Sequence, residues 1–326
     1  EIYTLSLHDA LPIYELLPSY GGQALMEGVL MRGMRHAVAA MRTPKGTIEV
    51  VHEELKGIYK TRLRDIPFLR GLVILWDSLG LGMKFLIVSA NLQTDENEKI
   101  EGPEVVLSIL FALVVSIALF FLAPAGVALL LERFLSVPNW LGNVVEGILR
   151  LAIVLGYMGS VSKIEEIKRV FRYHGAEHKT INCFDAGEEV TLENVRKQSR
   201  LHPRCGTAFM VTVVVISIVI FLIIGPFTQS IAARLLSRVL LVPVIAGVSY
   251  EYIRWNAKHM NSPIVRALYR PNLAVQYLTT ADPDDSMLEV AIQSFLTMLA
   301  FENGEQPVGV TETAELNSAK AKTPAA

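Results

Sequence analysis

Residues Val105–Leu131 read VVLSILFALVVSIALFFLAPAGVALLL, a run with no charged side chain. A helix crossing a ~30 Å hydrocarbon layer needs about 20 apolar residues, so this stretch is long enough to span a bilayer. A second run, Gly206–Ala233, is equally free of charge. Outward from these two, Asn143–Val161 forms a weaker span that carries Glu146 and Arg150. Four residues apart on a helix, that pair can neutralise itself within a membrane. Ile231–Tyr250 makes another span, with Arg234 and Arg238 near one end, where long cationic side chains can snorkel to the surface. With Glu104–Leu131, broken near its far end by Pro124 and Gly126, and Thr207–Ile224, ended by Gly225-Pro226, the expectation is four spans. The fold class is therefore mainly α: a polytopic membrane helical bundle.

Composition agrees. Of 326 residues, 52% are hydrophobic and the mean hydropathy is +0.39, above the range of most soluble chains. Thirty basic and thirty-two acidic residues give a net charge of −2, which speaks against a nucleic-acid footprint. Two cysteines, Cys183 and Cys205, cannot build a disulfide framework. No cleavable signal peptide is evident. Residues 1–13 (EIYTLSLHDALPI) read as a non-native, adapter-like segment and are set aside.

Residues 14–65 read as an N-terminal soluble element. Within it His36–Arg42 and Thr47–Leu55 flank Thr43-Pro44-Lys45-Gly46, the composition of a hairpin turn between strands. Residues 66–103 hold an amphipathic stretch and a linker. There Arg70, Asp77 and Lys84 recur every seventh position along one helical stripe. An interfacial or re-entrant helix anchored by Trp76 is favoured over a true span with its stripe facing a bundle. Spans fill 104–161 and 207–250, separated by a loop at 162–206. A tail with one helix covers 251–303, and 304–326 reads as disordered.

The loop carries nine basic residues between Lys163 and Arg204, whereas Glu132–Gly142 carries only Arg133. That asymmetry, with four spans, places the loop and both termini in the cytoplasm, with the lipid bilayer as the protein's partner.

The same loop holds the chemistry. Ser162-Lys163-Ile164-Glu165 has the form of a capping box, predicting a helix from there toward Phe184. On it lies His174-Gly175-Ala176-Glu177-His178. At 100° per residue His178 sits about 40° from His174, and Glu177 about 60° to the other side. This H-x-x-E-H spacing is that of the inverted zinc hydrolases: two imidazoles for the metal and a carboxylate as general base. His202-Pro203-Arg204-Cys205-Gly206 closes the loop and adds an N and an S donor. The candidate ligands are His174, His178, His202 and Cys205, with Asp185 as alternate ligand or outer acceptor, Glu177 as catalytic base, and zinc as the metal. Asp284, Asp285 and Glu289 read as a turn and a second capping box, Ser286–Glu289, rather than as ligands. Glu27 and Arg32 offer a carboxylate or an anion site, with a surface ion pair as the favoured reading.

GGQALMEGVLMRG, FRYHGAEHKTI, LHPRCGT and TTADPDDSMLEVAI, in this order, resemble the YqhQ-like bacterial membrane proteins, a domain of unknown function described as a predicted metal-dependent enzyme. The resemblance runs from about Tyr20 to about Leu299. It implies a multi-spanning protein of the bacterial inner (plasma) membrane with a metal-dependent activity of no established substrate. Three functions compete: a membrane-embedded hydrolase with an open metal position, a scaffold stapled by a closed structural zinc, and a small transporter for which Glu146 and Arg150 are the pointer.

Overall fold

The computed structural model describes residues 20–55, 66–94, 103–228, 230–259 and 262–313; the expectations for 1–13 and 314–326 lie outside them. The glycine-rich N-terminal stretch forms two strands, β1 (Gly21–Leu25) and β2 (Gly28–Arg32), and the expected hairpin follows as β3 (His36–Arg42) and β4 (Ile48–Glu54). Its turn closes through Thr43 N–H to Thr47 O at 2.8 Å, with Gly46 at a φ of 86° that favours glycine. The strands form an antiparallel meander in the order β1-β2-β3-β4, and β5 (Val310–Glu312) joins β4 in parallel. Within the described residues 304–313, this corrects the reading of that stretch as disordered. Three residues are too few to show a period, and what holds them is remote: Glu312 Oε1 lies 2.6 Å from His52 Nδ1, and Thr313 donates to His52 O at 2.8 Å.

Successive strand residues face opposite sides. Val29, Met31, Val38, Ala40 and Val50 enter one core, and Leu30, Ala37, Ala39, Met41 and Val51 another. Both faces are covered, so the strands read as continuous apolar runs instead of alternating. The first face packs on α5 (Glu165–Asp185) and α11 (Asp285–Glu302), through Tyr173, Ala176, Met287 and Phe295. The second packs on α1 (Leu69–Gln93), through Phe85. The cap of α11 is Asp284, which accepts from Met287 N–H at 3.1 Å; Ser286, the expected cap, instead donates to Asp284.

The charged stripe of α1 is wholly engaged. Arg70 pairs with Glu251, Asp77 with Arg32 at 3.0 Å, and Lys84 with Glu53 at 2.6 Å. Trp76, Leu79 and Met83 are exposed.

α2 (Pro103–Ile117) passes through a π-helical turn at Ala118–Leu122 into α3 (Ala123–Leu135), so the break expected at Pro124 does not occur. Proline has no N–H for the carbonyl four residues back, which is Phe120. Arg150 Nε donates to that oxygen at 2.9 Å. Arg150 belongs to α4 (Asn139–Val161), which packs on α7 (Thr207–Ile224). The remaining helices are α6 (Leu192–Lys197), α8 (Ile231–Leu240), α9 (Val242–Lys258) and α10 (Pro263–Thr279), the last of which had no sequence signal of its own.

Four helical stretches among the described residues are long and apolar enough to cross a membrane: Leu69–Gln93, Val105–Leu135, Asn139–Val161 and Thr207–Phe227. The expected span at Ile231–Tyr250 is instead two helices, α8 and α9, bent by 46°. Arg234 and Arg238 do not snorkel. Both are buried, and Arg238 grips the Glu146 carboxylate at 2.7 and 2.8 Å while Arg150 binds it at 2.7 Å. Arg234 reaches Glu132 at 2.6 Å, and Asn143 Oδ1 accepts from both Arg234 and Arg238. Burial leaves charged groups no water, so they pair with one another, although Glu132 Oε1 and Arg234 Nε stay without a hydrogen-bond partner among the described residues.

Candidate functional site

Only three residues separate α4 from α5, and Ser162 spends its hydroxyl on Gly159 O at 3.0 Å. The expected capping box is therefore not used; α5 starts after Ile164 with no side-chain cap, though Glu165 and Glu166 suit the positive end of its dipole. The helix turns its His-x-x-Glu-His face into the molecule, burying Glu177 and His178.

Each candidate ligand histidine is oriented from behind. His174 Nδ1 lies 2.8 Å from Thr279 O, and His178 Nδ1 lies 2.6 Å from Arg200 O. A carbonyl only accepts, so both rings carry their proton on Nδ1 and turn a bare Nε2 inward. Imidazoles that bind metal are oriented in this way by an outer acceptor. His178 Nε2 is buried with no hydrogen-bond partner. His174 Nε2 meets Cys205 Sγ at 3.3 Å. The three ligand atoms of His174, His178 and Cys205 all lie within 4.8 Å of one another. In a zinc tetrahedron the edges are about 3.3 Å for N···N and about 3.6 Å for N···S, so modest contraction would close the cluster around an ion.

Cys205 sits in a tight turn, where Thr207 N–H and Oγ1 approach its sulfur at 3.4 and 3.2 Å. Burial alone would push the thiol up, but the neighbouring His178 ring and the Thr207 hydrogen bonds outweigh it and leave the thiol below its ordinary value. Burial likewise lowers the basicity of His178, which keeps its nitrogen available as a donor.

His202 and Asp185 were both expected near the ion, and the structure brings them to each other instead. His202 Nε2 lies 3.3 Å from Asp185 Oδ2, and Arg204 donates to Asp185 at 2.7 Å. The physical reason is rise: seven residues carry Asp185 about 10.5 Å along the helix from His178. Its carboxyl is pushed up by burial, but His202 and Arg204 prevail and hold it below the usual range. The fourth expected ligand thus stands beside the cluster, its ring 5.6 Å from that of His178.

Glu177 is buried next to the three donors. Burial pushes its carboxyl up to about 8, against the opposing influence of His174 and of Gly22 N–H, which donates to it. A Cβ at Gly22 would lie 2.6 Å from Leu30 O and 2.9 Å from Glu177 Cγ, so only glycine fits there. A side chain at Gly175 would strike the Ala281 carbonyl, which explains that glycine too. A cavity of about 380 Å³ opens onto Glu177, His174 and Cys205, walled by Tyr20, Gly21 and Gly22 of the N-terminal segment.

The outer support comes from α10. Gln276, fully buried, takes His202 N–H and gives an N–H to His202 O, both at 2.9 Å, and Tyr269 donates to Pro203 O. No sequence signal marked Gln276, because a lone glutamine on a helix is ordinarily a solvated residue. The acids of the tail are engaged elsewhere: Asp285 with Arg196 and Glu289 with Arg42. Glu27 forms a pair with Arg169 and accepts from Tyr173, as a structural ion pair does.

A family model described as "Protein of unknown function (DUF1385)" matches residues 66–301. The chain is also 36% identical over 308 residues to "Uncharacterized protein YqhQ" of Bacillus subtilis (strain 168), covering 89% of this chain and 95% of that protein. No solved structure matches.

Proposed function

We propose, for a chain that belongs to the DUF1385 family, a metal-dependent hydrolytic function at a site seated where a membrane helical bundle meets a cytoplasmic sheet-and-helix unit. The observation that carries the reading is the unpartnered, buried Nε2 of His178, aimed with His174 Nε2 and Cys205 Sγ at a common point. A bare imidazole nitrogen sealed from water is costly unless something fills it. Two nitrogens and a thiol of lowered basicity suit zinc.

When bound, zinc would supply Lewis acidity toward a substrate carbonyl and toward water. The rest falls to the chain's own residues. Thr279 O and Arg200 O fix the two imidazoles. Glu177, with its carboxyl raised toward neutrality by burial, accepts a proton from a water in the adjoining cavity and returns it to the leaving group. Gly22 N–H holds that carboxylate in place. The closed, structural alternative needs a fourth protein ligand, and the pairing of His202 with Asp185 counts against it.

Packing parity supports the membrane arrangement. The N-terminal sheet, α5 and α11 share one core, so all three lie on one side of any membrane. Between the sheet and α5 the crossings must then be even in number: α2–α3 makes one and α4 the other. That leaves α1 as an interfacial or re-entrant helix along the sheet. Between α5 and α11, α7 makes one crossing and the bent α8–α9 pair the other. The basic residues of the loop support a cytoplasmic location for this side.

The test is Glu177→Gln, which keeps shape and hydrogen bonding but removes basicity. Zinc content and folding should match the wild type, while complementation of a strain lacking the protein is lost, as removal of a general base costs about 10²–10⁴ in rate. Full complementation would sink the hydrolytic reading; loss of zinc would make Glu177 a ligand.

A further inference from the structure

A second cavity, of about 510 Å³, adjoins the one at the His-Cys-Glu cluster. The two share Tyr20, Gly21, Gly22, Gln23 and Arg204 as walls, so they meet along the start of β1. The outer cavity is bounded on its far side by Ile74, Ser78 and Leu81 of α1 and by Tyr250 of α9. It therefore lies where α1 leaves the helical bundle and joins the sheet. The opposite face of α1 shows Trp76, Leu79 and Met83 to the outside, the composition of a helix lying against lipid.

Its lining is amphipathic and of one sign. Leu30, Ile74 and Leu81 supply apolar surface, and Arg32 and Arg204 supply cations, while no Asp or Glu among the described residues lines it. Arg32 is paired with Asp77 and Arg204 with Asp185. A guanidinium fork has five donors, so a carboxylate partner and an anionic ligand can share it.

From these walls we infer that the substrate is an anionic membrane lipid: its apolar chain occupies the outer cavity against α1 and α9, its acidic group lies by Arg32 and Arg204, and its scissile bond reaches Glu177. This substrate class rests on the hydrolytic reading above, but the binding it demands is read without any turnover.

The full chain, carrying photoreactive p-benzoylphenylalanine through Ile74→p-benzoylphenylalanine or Leu81→p-benzoylphenylalanine, would be placed in vesicles of phosphatidylethanolamine with a minority of phosphatidylglycerol. A third sample carries the same group through Trp76→p-benzoylphenylalanine on the outer face. After irradiation, adducts are identified by mass spectrometry. Adducts at 74 and 81 should be enriched in phosphatidylglycerol about fivefold over its share of the vesicle, equivalent to about 1 kcal/mol, whereas those at 76 follow the bulk mixture. Bulk composition at all three positions overturns the anionic preference. Absence of lipid adducts at 74 and 81, or at 76, overturns the lipid route. Native mass spectrometry of the unsubstituted protein repeats the test without a substitution: retained phosphatidylglycerol is expected, and a lipid-free chain contradicts the inference. Zinc content of the same samples separates the two ideas. A zinc-free protein with the lipid pattern sinks the metal reading alone, and a zinc-bearing protein without it sinks the lipid inference alone.

Discussion

Two adjacent glycines on β1 give the account a stringent internal control. At Gly22 an added Cβ would lie 2.6 Å from Leu30 O and 2.9 and 3.0 Å from Glu177 Cγ and Cδ; at Gly21 it would meet nothing within 4 Å. Ordinary contact begins near 3.4 Å, so Gly22→Ala requires about 0.8 Å of relief against the neighbouring strand and about 0.5 Å against the Glu177 stem, estimates in the range where overpacking costs about 1–3 kcal/mol. The unfolded chain loses freedom with alanine, which returns about 0.4–1 kcal/mol. Gly22→Ala should therefore destabilise by about 1–2 kcal/mol, and Gly21→Ala should be neutral or slightly stabilising. Thermal unfolding of both variants in detergent reads this, at roughly 2–4 °C per kcal/mol. Zinc content should be unchanged in both, because neither added Cβ has a candidate ligand among its nearest atoms. Any activity should fall in Gly22→Ala beyond what its stability explains, since a displacement approaching 1 Å at a reacting group can cost about 10²-fold. Equal melting and equal activity for the two variants would refute the claim that β1 presses on Glu177.

Glu146 accepts from both Arg150 and Arg238 in the interior of the bundle. Glu146→Leu should cost about 3–5 kcal/mol, because it strands two buried guanidiniums; a wild-type melting profile would contradict the network. For topology, a cysteine introduced at Asn139 should react with a membrane-impermeant thiol reagent in intact cells and one at Glu193 should not, and the reverse pattern would overturn the cytoplasmic orientation drawn from the basic loop.

Much of this was legible in the sequence where the signal is local. The turn Pro44–Gly46 announces β3 and β4, the uncharged run at 105–131 announces a long helix, and His174, Glu177 and His178 declare their shared face by spacing alone. What was not legible depends on contacts far apart in the chain. β1 and β2 lie in a glycine-rich stretch whose apolar residues do not alternate, because both faces of the sheet are covered. β5 is fixed by His52, some 260 residues away. Arg234 and Arg238 read as surface-seeking until Glu146 and Asn143 are seen opposite them. His202 is a good ligand by type, and only the fold reveals that Asp185 takes its nitrogen. Pro124 would break an isolated helix, yet here a π turn and the guanidinium of Arg150 absorb it.

The central claim is that His174, His178 and Cys205 hold a metal, and elemental analysis tests it most directly. Protein purified in detergent without chelator should carry about one zinc per chain. His178→Ala, which removes the buried and unpartnered nitrogen, should abolish it, while His259→Ala, whose Nδ1 lies against Trp255 O away from the cluster, should leave it intact. A wild-type chain free of transition metal, or a His178→Ala chain with its zinc undiminished, would contradict the account.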